Sequence, residues 1–197
     1  MSEKAATKTV NGTITSAPTA QLWQPVLMRS MITLLFGIIT VFLGSPEVLA
    51  LCLNLTWYFL ALAATHYWFV KRLQLPLRDP RKMVLLSGAG LLAVSGVVVF
   101  ISTSSLVAAW LGAIALLVMG AAELFAAIRS EGKTQLRSDW LISGVIGIGT
   151  GLLLPFFADL GPHALLGVAG GGALMSGALW LLSALSLRHE SRKTKTA

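Results

Sequence analysis

Glu123 places a carboxyl group inside an otherwise apolar stretch, residues 106–128. A charge at the centre of a membrane span costs about 2.5–3.5 kcal/mol on insertion scales, and less near the interface. An acid near a helix C-terminus also opposes the helix macrodipole. A compensating group is therefore expected. Arg29 lies at a similar depth in the first apolar stretch, and Arg129 and Arg137 are close in sequence. Two readings follow. Glu123 with Arg29 is either a proton-binding site or an ion pair that locks helices, and paired acids near the interface are the cheaper to keep. His66 ends the second apolar stretch with Tyr67 and Trp68. Its side chain titrates near neutrality and could report pH, whereas such a residue more commonly anchors a helix at the interface. His163 starts the sixth stretch close to Asp159, where a polar turn residue is expected and pH sensing is the alternative.

Other chemistry finds little to work with. The histidines at 66, 163 and 189 fall on different elements without an acidic cluster, so no metal site is expected. His189-Glu190 lacks the second histidine of a zincin helix. The single cysteine, Cys52, makes neither an intrachain disulfide nor a metal cluster. Gly88-x-Gly90-x-x-Ala93 formally matches a dinucleotide fingerprint, but no strand precedes it. Gly170-Gly171-Gly172 lacks the Lys-Ser/Thr of a phosphate loop. The loops are too short for a catalytic domain. We therefore expect no catalytic residue and no cofactor, and a protein that is not an enzyme.

The elements that carry these residues follow from composition. The chain is 55% hydrophobic and 12% charged, against roughly 25% charged in soluble domains. So little charge cannot cover a surface that faces water. Six apolar stretches, 26–43, 48–70, 83–101, 106–128, 140–157 and 163–187, approach the roughly 20 residues needed to cross a bilayer. The reading is all-α: a polytopic bundle of six transmembrane helices over residues 23–187. It is flanked by a disordered tail at 1–22 and a disordered basic tail at 188–197. The first 22 residues lack an apolar core, so no cleavable signal peptide is expected.

The breaks alternate between short ones without Lys or Arg and longer basic ones. All 15 Lys and Arg residues fall on one side, from Lys4, Lys8 and Arg29 through Lys133 to Lys193 and Lys195. The positive-inside rule makes that side cytoplasmic, with both termini there. The net charge of +7 thus orients the chain and does not signal nucleic acid. Trp23, Trp68, Trp110 and Trp140 fall at span ends, as interface anchors do, while Trp57 and Trp180 lie deeper and read as packing residues.

The chain also reads as three copies of one helical hairpin, at 26–70, 83–128 and 140–187. Gly37, Gly96 and Gly151 align in the first helices, and Ala61, Gly120 and Gly177 in the second. Small residues recur every four positions at Ser143, Gly147 and Gly151, at Gly167 and Gly171, and at Ala173 and Gly177. These are expected helix-packing faces. Three hairpins with an early basic residue, a mid-helix glycine, a turn with Pro and Gly-x-x-Glu resemble the HdeD family. Its members are bacterial six-helix inner-membrane proteins of the DUF308 type. Arg29, Gly37 and Pro46 carry the pattern in the first unit, and Gly120 with Glu123 in the second. The third has Trp180 where an acid could sit. The resemblance implies a plasma-membrane protein linked to acid or stress survival, and no known reaction. The expected partners are the lipid bilayer and either an integral membrane protein or further copies of the chain. The alternative is a small channel or transporter with a proton-linked site at Glu123.

Overall fold

The apolar stretches form helices because a lipid environment leaves the backbone no partner but itself. The structure, a computed structural model, describes residues 19–76, 78–130 and 136–196, so Lys4, Lys8, Lys133 and most of the expected N-terminal tail lie outside the described residues. The helices are α1 (Thr19–Phe42), α2 (Val48–Arg72), α3 (Pro80–Ser102), α4 (Ser105–Arg129), α5 (Arg137–Leu153) and α6 (Pro162–Thr196), with a 3₁₀ helix at Leu154–Leu160. No strand occurs among the described residues. All six are long and apolar enough to cross a membrane. Phe42, Ile101, Ile128 and Phe156 are each more than 70% exposed on the outer surface. A surface of this kind belongs in hydrocarbon, and the chain is a multi-pass membrane protein.

Local chemistry sets the boundaries. Asp79 caps α3, accepting from the Arg81 amide, with Pro80 at the first helical position where its missing N–H costs nothing. Thr103 closes α3 in the left-handed region at φ 42°, and the Ser104 hydroxyl accepts from the Val107 amide to start α4. Pro155 cannot donate within α5, so the α-helix stops at Leu153 and a 3₁₀ segment finishes the crossing. Gly161, at φ 90°, then supplies a turn that other residues rarely adopt.

Two expectations need correction here. Within the basic segment expected as a disordered tail, the described residues are helical, and α6 runs on to Thr196. No Gly or Pro interrupts Leu187–Lys195, so the helix outlasts the apolar stretch. Trp140, expected as an interface anchor, does not lie on the outer surface. It is 3% exposed and packs edge-on against Phe69, with ring centroids 6.0 Å apart.

Each helix packs on the next and α6 returns to α1, closing a ring. The most extensive contacts are α1 with α6, α4 with α5 and α2 with α3. Each of these is a seam where glycine admits a neighbouring backbone. A methyl group at Gly151 would lie 2.9 Å from the Ala113 carbonyl oxygen, one at Gly96 3.3 Å from that of Thr56, and one at Gly37 3.0 Å from that of Gly170. Leu117, Leu60 and Leu174 pack against the same three glycines. A methyl at Gly120 would meet the Gly144 carbonyl oxygen at 2.7 Å, and one at Gly177 the Leu34 amide nitrogen at 3.0 Å. Gly147 lies against the Gly120 Cα. The spacing of these contacts recurs along the chain. Ala63, not Ala61, stands as far beyond Thr56 as Gly120 does beyond Ala113 and Gly177 beyond Gly170. Gly167 and Gly171 are also corrected: a methyl group at either meets nothing within 4 Å. On α6 it is Gly170 and Gly172 that are pressed, by Thr40 and Thr150.

The core has two apolar clusters. One centres on Phe36 and Tyr58, stacked at 4.0 Å, with Phe59; the other holds Phe69, Trp140 and Trp180. Arg29, His66 and Ser143 lie along their helices between the two.

Candidate functional site

The polar residues of that middle layer meet. Arg29 on α1 donates through Nη2 to Glu123 Oε1 on α4, a buried ion pair. Its Nη1 donates to His66 Nδ1 on α2 at 3.4 Å, and Nη2 also reaches Ser143 Oγ on α5 at 3.4 Å. Trp180 on α6 covers the guanidinium, whose Cζ lies 4.3 Å from the ring centroid. Trp180 Nε1 donates to Ser143 Oγ at 2.9 Å. One arginine therefore holds groups from α2, α4, α5 and α6. The three residues singled out as functional candidates, Glu123, Arg29 and His66, form a single cluster. Ser143, expected only to pack, accepts hydrogen bonds there. Trp180, expected only to pack, completes the cluster. Of the other candidates, Arg129 lies over the Phe125 ring and His163 Nδ1 donates to the Leu43 carbonyl at 3.2 Å. Neither joins the cluster.

Burial sets the energetics. Arg29 is 6% exposed, Glu123 1% and His66 0%. Desolvation of each charge costs several kcal/mol, which the mutual attraction and the added hydrogen bonds offset. The guanidinium fits this position better than an ammonium would, since it donates in several directions and stacks on an aromatic face. Because His66 Nδ1 accepts from Arg29, its ring proton sits on Nε2. His66 Nε2 and Arg29 Nε are buried without a hydrogen-bond partner among the described residues. Beside the cluster lies a cavity of about 40 Å³ lined by Arg29, Glu123, Tyr58, Ser143 and Thr150. That is room for roughly one to three waters.

The positions of these side chains follow a pattern. His66, Glu123 and Trp180 each stand ten residues after Thr56, Ala113 and Gly170, whose carbonyls face the seam glycines. Arg29 and Ser143 each stand eight residues before seam glycines Gly37 and Gly151, and Gly88 stands eight before Gly96. At Gly88 the side chain is absent, and a methyl there would meet Met119 Sδ at 3.0 Å.

Outside the interior, Asp79 and Arg81 form an ion pair at 2.7 Å in the α2–α3 connection. The Arg81 guanidinium hydrogen-bonded to Asp79 holds its carboxyl below the usual range.

No curated protein and no solved structure matches the chain. The model of a short repeat of unknown function, DUF308, matches residues 89–156, from within α3 through α4 and α5 into the 3₁₀ helix. Over these residues the chain is similar to the DUF308 family.

Proposed function

We propose that this is a non-enzymatic, HdeD-like membrane protein with a structural role. It supports stress tolerance, acid resistance included, or serves as the accessory subunit of a membrane complex. The observation that carries this reading is the convergence on Arg29: the buried charges pair with one another and tie α1 to α2, α4, α5 and α6. Such a knot fixes the arrangement of helices and offers a partner a rigid outer face. The recurrence of contacts along the chain supports three hairpin repeats about an axis along the membrane normal. The one-sided distribution of Lys and Arg supports a bacterial plasma membrane location with both ends in the cytoplasm.

The test is a mild-detergent pull-down of the tagged protein from its native membranes, read by mass spectrometry, beside acid survival of the deletion strain. A stoichiometric membrane partner or impaired survival is expected. A protein that purifies alone and whose loss leaves survival unchanged overturns the reading.

A second reading is a proton-linked channel or transporter. The cavity beside Glu123 and the unpartnered Arg29 Nε and His66 Nε2 favour it. Flux in proteoliposomes that Glu123→Gln abolishes is its signature, and no flux above empty vesicles rejects it.

A further inference from the structure

The α2–α3 seam leaves a groove on the outer surface that the buried cluster does not use. It is a shallow, open groove of about 520 Å³ between Leu60, Ala64 and Tyr67 on α2 and Leu86, Gly90 and Ala93 on α3. The lining is almost wholly apolar. Small residues at Ala63, Ala64, Ala89, Gly90 and Ala93 make the floor, and Leu60, Tyr67 and Leu86 make the walls.

Both helix stripes continue into a cation at the same end. On α2 the face that carries Leu60, Ala64 and Tyr67 reaches Lys71 four residues later. On α3 the face that carries Gly90 and Leu86 reaches back to Lys82. Lys71 is exposed and Lys82 half-buried, its Nζ donating to the Leu75 carbonyl at 3.4 Å. Tyr67, 56% exposed, sits one turn below Lys71 with a phenol suited to the interface. From Leu60 to Lys71 the stripe rises about 16 Å at 1.5 Å per residue. That is about half of a hydrocarbon core of roughly 30 Å, the depth of one leaflet.

We infer that this groove binds an anionic phospholipid, one acyl chain lying on the Ala-Gly floor and the phosphate held between Lys71 and Lys82. Length, apolarity and charge agree on that occupant. A zwitterionic lipid would fill the groove but gain less from the two cations, and a neutral helix would leave them unmatched. Basic pockets between membrane helices select acidic headgroups for this reason.

The test uses the full-length protein, purified and delipidated, then given phosphatidylglycerol or phosphatidylcholine with identical chains and read by native mass spectrometry. Phosphatidylglycerol is expected to be retained preferentially, and Lys71→Ala and Lys82→Ala each to weaken retention roughly fivefold. Gly90→Leu places a branched side chain in the groove, and its Cβ meets nothing within 4 Å, so the helix backbone need not move to admit it. It is expected to abolish preferential retention. Gly167→Leu, on open surface away from the groove, is expected to leave it intact. Equal retention of both lipids overturns the inference, as does a Gly90→Leu protein that still prefers phosphatidylglycerol. A Gly90→Leu variant that loses self-association without losing lipid selectivity also overturns it, and gives the groove to a second copy of the chain.

Discussion

At the scale of single residues, the interior works through satisfied and unsatisfied donors. Trp180 contributes a ring face to Arg29 and a donor to Ser143. Trp180→Phe keeps the face and removes the donor, so a loss of about 0.5–1.5 kcal/mol is expected. Trp180→Ala removes both and opens a cavity, with an expected cost of about 3–5 kcal/mol. Thermal unfolding in detergent separates the two; equal losses would mean that the stacking carries no weight. The charged members of the cluster were legible in the sequence because a carboxylate or guanidinium inside an apolar stretch demands a partner. Ser143 and Trp180 were not. A serine on a small-residue face and a tryptophan in a span have sufficient ordinary explanations, and only the packing register shows that they meet Arg29.

At the scale of elements, glycine and capping decide where helices touch and end. Gly120→Ala would drive a methyl to 2.7 Å from a backbone oxygen of α5, so α4 and α5 must separate. A clear fall in unfolding temperature is expected. Gly149→Ala meets nothing and should be neutral or stabilising by up to about 1 kcal/mol through helix propensity. If the two substitutions behave alike, the α4–α5 seam is not as close as described. Asp79→Ala is expected to cost about 1 kcal/mol by removing the α3 cap. Because Arg81 lowers the Asp79 pKa in the folded state, the ion-pair contribution is fully present above the ordinary carboxylate range near pH 4. It is lost as pH falls through the lower folded value. The stability difference between the parent and Asp79→Ala should therefore be flat from pH 7 to 5 and shrink below pH 4. A difference that grows on acidification contradicts the assignment. The six spans were legible from hydropathy. The extension of α6 to Thr196 was not, since hydropathy marks where lipid ends and says nothing about where a polar helix stops. The register of the second helices was not legible for a similar reason: apolar, Ala-rich sequence aligns with itself in several registers.

At the scale of the whole molecule, the proposed orientation makes a simple labelling prediction. In a Cys52→Ala background, Ser45→Cys in the short α1–α2 turn should react with an impermeant maleimide added outside intact cells. Ser191→Cys near the end of α6 should react only after permeabilisation, and the reverse pattern would invert the topology. The closed ring of helices raises the larger question of what holds five of the six to one point. Arg29 does so, anchored by its pair with Glu123, and each member of the pair is costly mainly when the other is removed. The direct measurement is unfolding of Arg29→Met, Glu123→Leu and the double variant in one detergent. Each single variant should lose about 3–5 kcal/mol, because it strands a buried charge, and the double variant should recover most of that loss. Losses that simply add in the double variant, or single variants as stable as the parent, would contradict the claim that this ion pair locks the bundle.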